Sequence, residues 1–152
     1  MKKILLILFI MLLTGCSKTK AKDIPLKDVM EEIKVVSEFT GGQTIDLTNQ
    51  KSAAQYGIDS TSISEGYVYY STDAEKADEI IIVRAADKKQ LENVEKALST
   101  ELASKTAAWK NNEKESEKIK NHIMRTIGDC VLLAIGDKAS EIDMVFNQLK
   151  EE

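Results

Sequence analysis

Apolar residues along this chain fall into two patterns, and each predicts a different element. One is a spacing of three and four. Leu26, Val29, Met30, Ile33, Val36 and Phe39 recur in this way, one face of a helix over residues 26–39. Pro25 suits its first turn, and Gly41-Gly42 ends it. The spacing returns in Leu91, Val94, Leu98, Leu102 and Trp109, a long helix opened by Asp87, with Gln90 placed as in a capping box. It returns again in Ile142, Val145, Phe146 and Leu149, a last helix capped by Asp137. The other pattern is a short run rich in β-branched or aromatic residues. Residues 79–85 and 130–135 are apolar at consecutive positions, as in strands covered on both faces. Residues 66–71 and 122–127 are more mixed, as edge strands are.

Turn chemistry joins these pieces. Gly128-Asp129 reads as a two-residue hairpin turn with Gly in its first position, and residues 72–76 turn the other strand pair. Residues 43–64 carry the weakest pattern: Thr48 is placed to cap a short helix through Gln55, Gly57 ends it, and 59–64 reads as loop. Asn111-Asn112 weakens the long helix. The charged run 113–121 reads as a solvated helix end or loop. The order is a helix, a loop, then ββαββα. This predicts an α+β domain with a four-stranded antiparallel sheet in the order 1-2-4-3. The long and last helices each follow a strand and are expected on one face. The helix 26–39 is expected to cover the other, the alternative being a bare face used for association.

The N-terminus belongs to none of this. Lys2 and Lys3 precede an apolar run of about ten residues, half of the roughly 20 that span a bilayer. Leu13-Thr14-Gly15-Cys16 follows, which resembles the lipobox of bacterial lipoproteins. The resemblance implies cleavage between Gly15 and Cys16 and a diacylglyceryl group on the Cys16 thiol. The expected division is a lipoprotein signal peptide at 1–15, a lipidated tether at 16–25 and a single α+β domain at 26–152.

Composition narrows the partners. The whole chain carries a net charge of −4, and the expected cleavage removes two more positive charges. An acidic surface without a basic patch argues against nucleic acid. It also argues against charge-driven docking on anionic lipid, leaving the lipid on Cys16 as the membrane link. With Cys16 acylated, Cys130 has no intramolecular partner, and its apolar surroundings suit a buried, inert thiol.

Candidate chemistry is sparse. The single His122 has no second His or cysteine pair from which a metal site is built, and no cofactor is implied. A serine nucleophile would have only His122 as base, and no Gly-x-Ser-x-Gly occurs. Asp78 and Glu79 are adjacent in a strand and should point apart, so they make no acid pair. These signs point away from an enzyme, with no catalytic residue assigned. Tyr67 and Tyr69 share a strand face and, with Trp109, are the candidate contacts for a ligand or partner. The other reading of these aromatics is that they cover the sheet.

Taken together, the lipobox, Tyr56-Gly57-Ile58-Asp59, Ala77-Asp78-Glu79-Ile80, the long charged helix and Gly128-Asp129-Cys130-Val131-Leu132-Leu133 resemble a family. It comprises small lipoproteins, mainly of Gram-positive bacteria, that carry the domain of unknown function numbered 4358. The resemblance covers about residues 26–148. It departs after Trp109, where members often carry an aromatic–proline segment and this chain has Lys110-Asn111-Asn112-Glu113. It implies a surface lipoprotein and transfers no catalytic residue. The expected function is a membrane-anchored, extracytoplasmic, non-catalytic module that binds another protein of the cell envelope. The alternative is a glycan or peptide receptor or sensor.

Overall fold

The computed structural model describes residues 20–151. Helix α1, Leu26–Ser37, comes first, then strand β1, Gly42–Asp46, and helix α2, Gln50–Gln55. A single 3-10 turn, Ser60–Ser62, leads into β2, Ile63–Ser71, and β3, Glu79–Ala85. Helix α3, Lys88–Trp109, and α4, Glu113–Lys120, precede the hairpin of β4, Ile123–Ile127, and β5, Cys130–Ile135. Helix α5, Ala139–Phe146, and a 3-10 turn, Asn147–Leu149, end the described chain.

The sheet is antiparallel throughout and runs β1-β2-β3-β5-β4. It therefore has five strands, not the four expected, although the four expected ones keep the relative order 1-2-4-3. The added strand is β1, which makes β2 an inner strand and moves the edge to Gly42–Asp46. It escaped notice because its positions are mostly exposed and Ile45 is its one aliphatic residue. The apolar runs in β3 and β5 are buried at every position, since each strand has two neighbours and helices on both faces.

Alternation along β3 and β5 separates two cores. Ile81, Val83, Val131 and Leu133 meet Val94 and Leu98 of α3, Ile119 of α4 and Ala53 of α2. Ile80, Ile82, Leu132 and Ala134 meet Val29, Met30 and Ile33 of α1 and Ile142 and Phe146 of α5. Helix α1 thus packs on the sheet as expected. Helix α5, however, lies beside α1 and not beside α3. Helices α3 and α4 already fill the other face, and the apolar stripe of α5 finds its complement in α1.

Local signals account for most boundaries, with corrections. Helix α1 stops at Ser37, where Glu38 turns left-handed at φ 55, before the two glycines are reached. Gly42 instead starts β1, where a side chain would collide with the Tyr69 ring. Asn49, not Thr48, caps α2. Asp87 caps α3 by accepting from Lys89 N and Gln90 N, but the Gln90 side chain bonds Asn93 and does not close a capping box. Asp137 does not cap α5, whose preceding residue is Lys138 with no side-chain cap. The 59–64 stretch is a 3-10 turn and the start of β2, not loop. Gly128, at φ 58, supplies the first turn position of the β4–β5 hairpin as expected.

Candidate functional site

The expected contact residues separate in space. Tyr67 and Tyr69 share the α1 face of β2, opposite Ile82 and Ile80 of β3. The Tyr69 ring stacks on Phe39, with centroids 5.2 Å apart and planes 8° from parallel, and the Lys34 ammonium lies 5.7 Å from its centre. One side of that ring is therefore taken by the chain itself. Burial, then the carboxylates of Asp46, Glu65 and Asp28, hold the Tyr67 phenol above its ordinary range, so it stays a hydroxyl. Trp109 packs on the opposite core at the end of α3. The three aromatics do not form one surface. Cys16 and Gly15, the expected lipidation and cleavage residues, lie outside the described residues.

Two charge clusters that the sequence reading missed mark opposite ends of the sheet. The first is built on Arg84, the one cation of β3. Its Nε lies 3.1 Å from Glu65 Oε1, and its Nη1 lies 3.5 Å from Asp129 Oδ1. Its Nη2 donates to the Ile24 carbonyl at 2.7 Å, and both terminal nitrogens reach the Lys22 carbonyl at 3.4 Å. The other Glu65 oxygen accepts from Leu26 N at 2.7 Å and so satisfies the start of α1. Lys22 N donates to the Leu149 carbonyl, and Ala21 is buried. Residues 21–25, expected to be tether, are thus a strap fastened to β3 and to the C-terminal turn. A charge in a strand with both faces covered has to be paired, and that was the available signal.

The second cluster closes the other end. Lys118 Nζ, with its side chain 3% exposed, lies 2.9 Å from Glu115 Oε2 and 3.0 Å from Asp78 Oδ1. Glu115 also accepts from Ala77 N at 2.8 Å. The segment expected to be solvated is therefore α4, capped by Asn112, with Glu115, Lys118 and Ile119 buried. Burial raises the Asp78 carboxyl, with Lys118 opposing. Burial also works against the Glu115 carboxylate, but the Ala77 amide and Lys118 outweigh it and hold that group below its usual range. Glu79, next in sequence, turns to α3 and meets Lys105 at 3.4 Å. Its Oε1 is buried with no hydrogen-bond partner among the described residues. Burial raises this carboxyl to about 7, with Lys105 opposing and the Glu101 carboxylate adding to the rise. Asp78 and Glu79 thus serve different helices and share no proton.

The remaining candidates are quiet. Burial pushes the Cys130 thiol up to about 12, and the thiol is free and enclosed. His122 precedes β4, with Nδ1 2.8 Å from the Ile119 carbonyl and so carrying its proton there. Among the described residues, no group of three or more His, Cys, Asp or Glu is placed to hold a metal ion, and no helix is long and apolar enough to cross a membrane. Open clefts include one of about 380 Å³ between Tyr56, Asp59, Asn93 and Lys96. Another of about 380 Å³ lies beside Lys20, Asp87, Lys88 and Asp129, and a third of about 510 Å³ lies beside Trp109, Glu75 and Lys114.

A five-stranded antiparallel sheet between two helical layers, clamped by ion clusters at both ends, defines the class: a mixed α+β domain. The family model described as Domain of unknown function (DUF4358) matches residues 40–136, and the chain belongs to that family. The match runs from β1 to the end of β5. No curated protein matches the chain, and neither does any solved structure.

Proposed function

We propose that the chain is an extracytoplasmic lipoprotein, cleaved after Gly15 and anchored by diacylglyceryl on Cys16, whose domain is a non-catalytic module that binds another envelope protein. The observation that carries the reading is the strap. Arg84 and Leu149 fasten the chain that leads back to Cys16, so a lipid there is joined to the sheet by a few residues and not by a long linker. Lipid at Cys16 contributes ~0.8 kcal/mol per buried methylene, and two acyl chains make the attachment firm. Two edge strands, β1 and β4, offer backbone groups to a partner strand, and β1 is largely exposed.

Fractionation of cells carrying Cys16→Ala tests the anchor. The variant is expected in the medium or unprocessed, with an unchanged melt. Processed protein that stays on the membrane contradicts the reading. Crosslinking in intact cells tests the partner. The cleft at Tyr56, Asp59, Asn93 and Lys96 has a volume in the range of small-ligand sites and favours a second reading, a glycan or peptide receptor. A thermal shift with such a ligand, alongside an empty crosslinking experiment, would put that reading first.

A further inference from the structure

The strap also bears on which end of the domain meets the bilayer, an inference that rests on the lipid-anchor reading above. The chain is held from Ala21 onward, and Ala21 lies five Cα steps from Cys16. Fully extended, that leash reaches at most ~18 Å. The strap enters beside the C-terminal end of β3, where Lys20, Lys88, Gly128 and Asp129 border one cleft. From there α3 runs 22 residues to Trp109, which borders the cleft at the β2–β3 turn with Glu75 and Lys76. At 1.5 Å per residue the helix is ~33 Å long. The leash is too short for the domain to stand upright on its Trp109 end.

Charge at the near end agrees. Lys88 and Lys89 are exposed in the first turn of α3, which has no acidic residue. A cation is disfavoured at that end of the helix dipole, and an anionic surface relieves the cost. Lys18, Lys20 and Lys22 lie along the leash and strap, while Asp87 and Asp129 keep the patch from being strongly basic. Length therefore orients the domain and charge assists.

We propose that the domain stands on phospholipid headgroups with the Arg84 end, the Gly128-Asp129 turn and the start of α3 facing the bilayer. The end that holds Trp109, the β2–β3 turn and the Lys118 cluster then faces outward, as the surface a partner meets first.

Trp109 is the one tryptophan of the chain and reports on the outer end. The test uses the chain from Cys16, coupled through that thiol to a maleimide phospholipid in vesicles of phosphatidylcholine and phosphatidylglycerol. Cys130 is buried and does not compete. A headgroup spin-labelled lipid then quenches tryptophan by proximity. Trp109 is expected to keep its fluorescence, while Lys88→Trp in a Trp109→Phe background loses it several-fold. Equal quenching, or stronger quenching of Trp109, overturns the proposal. Inserting about twelve Gly and Ser residues after Thr19 lengthens the leash by some 40 Å when extended and is expected to narrow the difference. An undiminished difference overturns the leash as the orienting element. The lipid is attached chemically, so this outcome stands apart from whether cells lipidate Cys16, which the Cys16→Ala fractionation decides.

Discussion

The two faces of the sheet are covered by different parts of the chain. One carries α2, α3 and α4, all inside the segment 40–136 that the family model matches. The other carries α1 and α5, which lie before and after that segment, together with the strap. The matched segment alone would leave Ile80, Ile82, Leu132 and Ala134 bare, an apolar face that a monomer does not expose. The flanking helices therefore complete the fold. Because α1 follows directly on the strap, the element that completes the core is also the one that leads back to the proposed anchor at Cys16.

The largest expected effect comes from removing one cover. Deleting residues 20–37 takes away Leu26, Val29, Met30 and Ile33, each fully buried and each contributing roughly 1.5–3 kcal/mol. The cooperative melting transition is expected to disappear. A fragment that melts as sharply as the full chain would show that the matched segment stands alone and would break the contrast between the faces.

The next effect belongs to the other cover. Lys118→Met leaves Glu115 and Asp78 buried without their cation and is expected to cost about 3–5 kcal/mol in urea unfolding. Replacing Glu115 by Leu and Asp78 by Ala in the same chain is expected to recover most of it, because no unpaired charge then remains. Failure to recover would mean that the cluster holds α4 by directed bonds, the Glu115 bond to Ala77 N foremost, and not by charge balance.

How much of this could be read from residues alone depended on how each element announces its burial. The helices α1, α3 and α5 and the strands β3 and β5 expose their pattern because most of their buried positions are apolar. The edge strand β1 has one aliphatic residue, and α4 hides its inward face in Glu115 and Lys118. Both were invisible to a reading that takes apolar as inside. Arg84 was legible in principle: a cation between Val83 and Ala85 in a strand without a solvent face demands partners. Which layer α5 would join was not legible, since its stripe fits either face and only the space left by α3 and α4 decides. Of the expected contact residues, Tyr67 and Tyr69 were correctly placed on one face by alternation. Their separation from Trp109 follows from which helix covers which face, a tertiary fact.

A smaller effect sharpens the α3 face. The Glu79 carboxyl sits at about 7 against an ordinary 4.5. Between those values the unfolded chain has ionised Glu79 and the folded chain has not, so the folded state binds more protons. Stability contributed by this group is therefore present below the unfolded value and lost as pH rises through the folded one. Glu79→Gln is expected to flatten the fall in melting temperature from pH 4.5 to 7 and to melt higher than the parent at pH 8. Parallel curves for the two proteins would mean that Lys105 keeps Glu79 ionised throughout.

Native-state hydrogen exchange tests most directly whether the flanking helix and the sheet are one unit. The account predicts that the slowest amides of Leu26–Ser37 open with the same free energy as those of β3, and that both fall together under mild denaturant. If the α1 amides instead exchange through a separate, low-energy opening while β3 stays protected, the helix is an accessory to the domain, and the rigid link between the strap and the sheet is lost.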